Sequence, residues 1–193
     1  GDGIGTILEL YTGALKDMSG NPNTAFDRFD LIEHADIKPP TISAAFIDYN
    51  NGILSFRASE FLDTRMTSIN TTSIKIVNET VGLQFEILAA VVLLADDWYI
   101  RLQLSEQERV GAIKMSGTTG GDGTPIQTYI GRGAFRDIAG NVIENIGSIN
   151  VMETKDTTNP VIESILCFFA NGTIFIKADE TIDITPGSNV NKS

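Results

Sequence analysis

Apolar and polar residues alternate with a period of two along much of the chain, which predicts strands rather than helices. Residues 53–58 place Leu54, Phe56 and Ala58 on one face. Residues 73–77, 83–88, 98–104, 128–130 and 146–151 are further strand candidates. In 98–104, Trp98, Ile100, Leu102 and Leu104 alternate with Tyr99, Arg101 and Gln103, so Trp98 is expected to face the core. One segment breaks the alternation. Ser105-Glu106-Gln107-Glu108 is a capping box, and it predicts a short helix over 106–114. A Gly/Thr-rich stretch at 117–124 reads as a loop.

The pattern repeats. Shifting the sequence by 120 residues superimposes 73 positions without a gap, and 19 of them are identical, several times the number expected by chance. Gly1-Asp2-Gly3 matches Gly121-Asp122-Gly123, and Asp17, Gly20 and Asn21 match Asp137, Gly140 and Asn141. Asn51-Gly52 matches Asn171-Gly172, where a hairpin turn with positive φ angles is expected. Ile174, Ile176 and Ala178 repeat the face made by Leu54, Phe56 and Ala58. Residues 1–39 thus read as the end of one repeat, 40–159 as a whole repeat and 160–193 as the start of the next. About seven short strands in a 120-residue repeat predict an all-β fold, a Greek-key β-sandwich of immunoglobulin type with one short helix. Partial repeats cannot each bury a sandwich core alone. The ends are therefore expected to complete a domain with each other, with neighbouring chains by strand donation, or as a window of a longer array.

Composition narrows the function. The 193 residues include 14 Lys+Arg against 25 Asp+Glu, a net charge of −11, which argues against a nucleic-acid binder. The longest apolar run is Ile87 to Ala95, too short for a membrane helix. The start, without Met or an apolar leader, is expected of a mature product, a processed piece or a fragment. One cysteine, Cys167, and one histidine, His34, leave little material for zinc sites, Ser-His-Asp triads or Cys-His dyads. Cys167 sits among Leu166, Phe168 and Phe169 and is expected to be a buried thiol, with an intermolecular disulfide as the alternative. His34 is expected at the surface. The carboxylate pairs Glu60 with Asp63 and Asp96 with Asp97 are the only clusters that suggest a glycosidase, and Asp96-Asp97 reads more simply as a turn. A non-enzymatic protein is expected.

Four Asn-x-Ser/Thr sequons begin at Asn70, Asn78, Asn171 and Asn191 and mark acceptors for N-linked glycans. Asn171 also holds a hairpin-turn position whose counterpart, Asn51, has no sequon. Glycans would place the protein outside a eukaryotic cell.

Three motifs in order carry a resemblance. Asp156-Thr157-Thr158-Asn159-Pro160 opens a repeat, Gly52-x-Leu54-x-Phe56-x-Ala58-Ser59-Glu60 follows, and Asp137-Ile138-Ala139-Gly140-Asn141 comes late. Together they resemble tandem bacterial-type Ig-like or cadherin-like repeats of large secreted and surface proteins of bacteria and unicellular eukaryotes. The first boundary, Asp36-Ile37-Lys38-Pro39-Pro40, keeps only the Asp and the Pro of the pattern. The resemblance implies adhesion, surface-layer or appendage roles and carries no catalytic residue over. It also implies calcium at module junctions, for which the recurring acids Asp36, Glu60, Asp63, Asp156, Glu180 and Asp183 are candidates. Asp17 and Asp137 also recur, and read instead as Asx-turn residues holding the Gly-Asn turn.

The expectation is an extracellular structural subunit of a filament, sheath or surface appendage, with copies of itself or adjacent repeats as partners. An adhesive module, calcium-dependent or carbohydrate-binding, is the alternative.

Overall fold

The computed structural model describes residues 4–93 and 98–184. The chain divides between Lys38 and Pro39 into two units. The Gly1-Asp2-Gly3 match, the Asp96-Asp97 pair and Asn191 lie outside the described residues.

In the first unit, β1 (Ile7–Leu10) and β2 (Phe26–Asp30) form an antiparallel hairpin. The connection between them is tied by Asp17. Its Oδ1 accepts the backbone N–H groups of Ser19 and Asn21, and its Oδ2 accepts from Asn21 Nδ2. Gly20, with φ of 85°, lets the chain turn there.

The second unit holds the whole repeat. Its strands are β3 (Ile42–Asp48), β4 (Ile53–Ala58), β5 (Ile74–Asn78), β6 (Leu83–Glu86), β7 (Val91–Leu93), β8 (Tyr99–Gln103), β9 (Gln127–Ile130) and β10 (Gly147–Thr154). They join in one eight-stranded sheet in the order β6-β5-β9-β10-β3-β4-β8-β7. All neighbours are antiparallel except β10 and β3, the last and first strands of the repeat, which pair in parallel. The sheet curls about that seam. Ile74, Ile76 and Ile130 of one limb and Leu54, Phe56, Ile100 and Leu102 of the other share one buried core. Across it the Phe56 and Phe135 rings lie 5.4 Å apart. The alternating pattern along β4, β5 and β8 is the cause, since every second side chain enters the core. Among the described residues the protein is mostly β, with this large curled sheet and one α-helix, α1 (Glu106–Lys114), capped by Ser105 and Glu108 as the capping box predicts. A final antiparallel hairpin follows, β11 (Ile162–Phe168) and β12 (Thr173–Ala178).

The 120-residue repeat recurs in the strand pairing of both terminal hairpins, apart from a bulge in the first that pairs Leu10 with Phe26 where the whole repeat pairs Ile130 with Gly147. The pairs Ile42↔Ala58, Ala45↔Phe56 and Asp48↔Ile53 reappear as Ile162↔Ala178, Ile165↔Ile176 and Phe168↔Thr173. The pairs Ile7↔Asp30 and Leu8↔Phe29 reappear as Gln127↔Asn150 and Thr128↔Ile149. Asp137 repeats the turn of Asp17, accepting from Asn141 N and Nδ2, with Gly140 at a φ of 98°.

Three local expectations are corrected. The β3–β4 connection is a four-residue loop rather than a tight two-residue turn; Gly52 has a φ of 68°, and the Asp48 carboxylate organises the loop by accepting from Asn50 N and Nδ2 and Asn51 Nδ2. Trp98 precedes β8 and is 46% exposed. Trp98 lies just outside the paired strand, and its indole packs on exposed Phe61 at the rim, with ring centroids 5.6 Å apart. Cys167 is exposed. Its counterpart Ile47 is buried, but the core face of the β11–β12 hairpin has no cover among the described residues.

Candidate functional site: a clamped junction and two uncovered hairpins

The end of the whole repeat and the hairpin that follows it meet at Arg109. This residue lies inside α1, with its side chain 9% exposed. Its Nε donates to Glu106 at 2.7 Å, and its Nη1 to the Tyr49 carbonyl at 2.9 Å and to Asp156 at 2.6 Å. Its Nη2 donates to Glu106 at 3.0 Å and to Glu180 at 2.9 Å. Three carboxylates from the helix, the linker and the next repeat thus share one guanidinium, whose planar fork suits such multiple pairing. Glu106 also accepts the backbone N–H of Thr181 at 2.8 Å, which ties the chain leaving β12 to the helix. The Arg109 stem lies against the β3–β4 loop, where a Cβ on Gly52 would come within 3.3 Å of Arg109 Cδ.

The electrostatics follow the geometry. Glu106 is pulled down to about 2, first by Arg109, against the opposing cost of burial. Arg109 is driven well above its usual range, first by Glu106 and then, against its own burial, by Asp156 and Glu180. Burial pushes Glu108 up, but the N–H groups of Ala89, Ser105 and Leu88 outweigh it and leave the group lowered. Tyr49 is raised far above a normal phenol by burial and by its hydrogen bond to Glu153 at 2.8 Å. Beside the clamp, α1 and the chain after β12 enclose a cavity of about 510 Å³ lined in part by Ile113, Lys114, Ile182, Asp183 and Ile184.

The residues singled out from sequence are distributed as follows. Asp156 and Glu180 are brought together, and the cation between them is Arg109. Asp36 is exposed in the first unit and accepts the Lys38 N–H. Asp63 is buried and holds Arg65 and Ser68, and these bonds keep its carboxyl well below the usual range, first through Arg65. Glu60 is half-buried, and Asp183 lies on the cavity wall. Sequence reasoning missed Arg109 and Glu106. The usable signal was a basic residue three positions after an acid on the one helix, beside acids that recur with the repeat.

The sequons differ in kind. Asn70 is exposed, its Oδ1 accepting from Thr72 and its Nδ2 donating to Ser73. Asn171 is exposed on the β11–β12 loop, its Oδ1 accepting the Thr173 N–H. Asn78 is fully buried. Its Nδ2 donates to the Met115 carbonyl, Asp122 and Thr124, and its Oδ1 accepts from Thr80 N and Val81 N. A sugar on that nitrogen is incompatible with this packing, so Asn78 acts as a loop tie.

The two terminal hairpins form the second feature. Leu8, Leu15, Phe29 and Leu31 are exposed in the first. Ile162, Ile165, Ile174 and Ile176 are exposed in the last. Phe169 is 93% exposed, whereas its counterpart Tyr49 is fully buried.

Comparison with family models, with curated proteins and with solved structures finds no match to the chain.

Proposed function

We propose that this chain is a non-enzymatic structural repeat unit of an extracellular glycoprotein filament, sheath or surface appendage, built from Ig-like modules joined end to end. The observation that carries this reading is the junction. A buried arginine binds its own helix, the linker and the next repeat together, which suits a protein whose work is to hold successive modules at a fixed angle. The repeated register at both ends supports it, because the same unit is laid down again before and after the whole repeat. N-linked glycans at Asn70 and Asn171 would shield the surface of such an array. Electron microscopy of the native material tests the reading. Filaments with sugar density at Asn70 and Asn171 are expected, and isolated particles with bare asparagines would overturn it.

A second reading is favoured by one observation, the exposed Trp98–Phe61 pair. Aromatic faces at a rim are suited to stacking on sugar rings, so an adhesive carbohydrate-binding module is the alternative. Titration of the intrinsic Trp98 fluorescence with oligosaccharides tests it, since Trp98 is the only tryptophan. A saturable change lost in Phe61→Ala would favour this reading.

A further inference from the structure

Strand β10 has eight residues, and its counterpart β2 has five. Aligned by the repeat, β2 starts one residue before β10 and stops four residues short of its end. Residues 151–154 of β10 are the ones that pair in parallel with β3, as Val151↔Ala45, Met152↔Phe46, Glu153↔Ile47 and Thr154↔Asp48. Their counterparts, Leu31, Ile32, Glu33 and His34, are not in a strand. The counterpart of β3 is β11, and its outer edge is unpaired among the described residues. The first hairpin thus corresponds to β9–β10, and the last hairpin to β3–β4. These are the four adjacent central strands of the complete sheet.

The exposed side chains match the same division. In the whole repeat, Ile130, Phe135 and Val151 pack from one limb and Ile42, Ile47, Tyr49, Leu54 and Phe56 from the other. Their counterparts Leu10, Leu15 and Leu31 lie on one hairpin, and Ile162, Cys167, Phe169, Ile174 and Ile176 on the other. Where the parent core stacks Phe135 on Phe56, the two hairpins offer Leu15 and Ile176.

We infer that copies of this chain join head to tail, with residues 31–34 of one copy extending β2 and pairing in parallel with residues 165–168 of β11 in a second copy. The register is Leu31↔Ile165, Ile32↔Leu166, Glu33↔Cys167 and His34↔Phe168. The joint rebuilds the order β1-β2-β11-β12 and buries the apolar faces of both hairpins. This inference deepens the filament reading and rests on it.

The single cysteine makes the register testable. Paired strands place Cα atoms about 4.8 Å apart, within the span a disulfide bridges. The Glu33→Cys variant of the full chain, oxidised with diamide, is expected to give a ladder of covalent multimers. In mixtures of isotope-labelled and unlabelled chains, mass spectrometry should find the 33–167 link between copies. Ile32→Cys is one position out of register on the opposite face and should give no ladder. Glu33 also accepts the Thr6 N–H, so a second variant guards against local unfolding. Leu31→Cys with Ile165→Cys, in a Cys167→Ser background, should link equally well. Monomers alone, links within one copy, or equal ladders from Ile32→Cys would overturn the inference. Filaments of the Glu33→Cys variant that lack the 33–167 link would overturn the register and leave the filament reading standing.

Discussion

The Arg109 guanidinium donates to Glu180, a residue of the repeat after its own. One side chain therefore couples the stability of a folded module to the placement of the next. Replacing Arg109 by Ala leaves Glu106, Asp156 and Glu180 crowded without a counter-charge. Loss of the cation from such a partly buried set costs about 1–3 kcal/mol. Chemical denaturation should show that loss. Hydrogen exchange should show faster exchange over residues 160–184 than in the native protein, and Arg109→Lys should recover only part of it.

The clamp sets a pH window. The folded-state value of Glu106, about 2, lies below its ordinary value of 4.5. Its contribution is therefore fully present above about pH 4.5 and is lost as the pH falls toward 2. Protection factors over 160–184, the intrinsic exchange rate at each pH divided by the observed rate, should stay constant between pH 7 and pH 5 and fall below that. In Glu106→Gln, the part of the fall due to this group should disappear.

Because the cation joining Asp156 to Glu180 is a guanidinium, calcium has a competitor at this junction. Thermal midpoints of the native protein in calcium and in a chelator should coincide. A clear rise in calcium would assign the junction to a metal.

Asn78 and Asn70 carry the same sequon and should behave differently. Glycopeptide mapping of secreted protein should find sugar at Asn70 and Asn171 and none at Asn78. Asn78→Ala removes a buried amide with five hydrogen bonds and should cost about 2–3 kcal/mol. Asn70→Ala should be close to neutral.

Equivalent positions offer an internal control. Phe56 is buried and Ile176, its counterpart, is exposed. Phe56→Ala should cost about 3–5 kcal/mol of folding stability by opening a cavity. Ile176→Ala should leave the folding midpoint within about 0.5 kcal/mol and weaken association between copies, as seen by sedimentation.

Much of the fold was legible because its causes are local. The alternation in 53–58 and 73–77, the capping box at Ser105 and the Asp-Gly-Asn turns each act within a few residues. Trp98 was misplaced because alternation states a face and not where the sheet ends. Cys167 was misplaced because burial of a strand face depends on a partner that its own sequence does not contain. The turn at Asn51-Gly52 was read as shorter than it is, since Asp48 supplies the ordering bonds from outside the dipeptide. Arg109 was invisible for a similar reason. Its partners lie 47 and 71 residues away, and no spacing rule links a helix to the strand end of the following repeat.

Sedimentation velocity of the full chain over a wide concentration range reads the joint between copies without any label. Multimers should grow with concentration and vanish when residues 1–38 or 160–193 are removed. A chain that stays monomeric throughout, or a truncated chain that assembles as well as the full one, would contradict that joint.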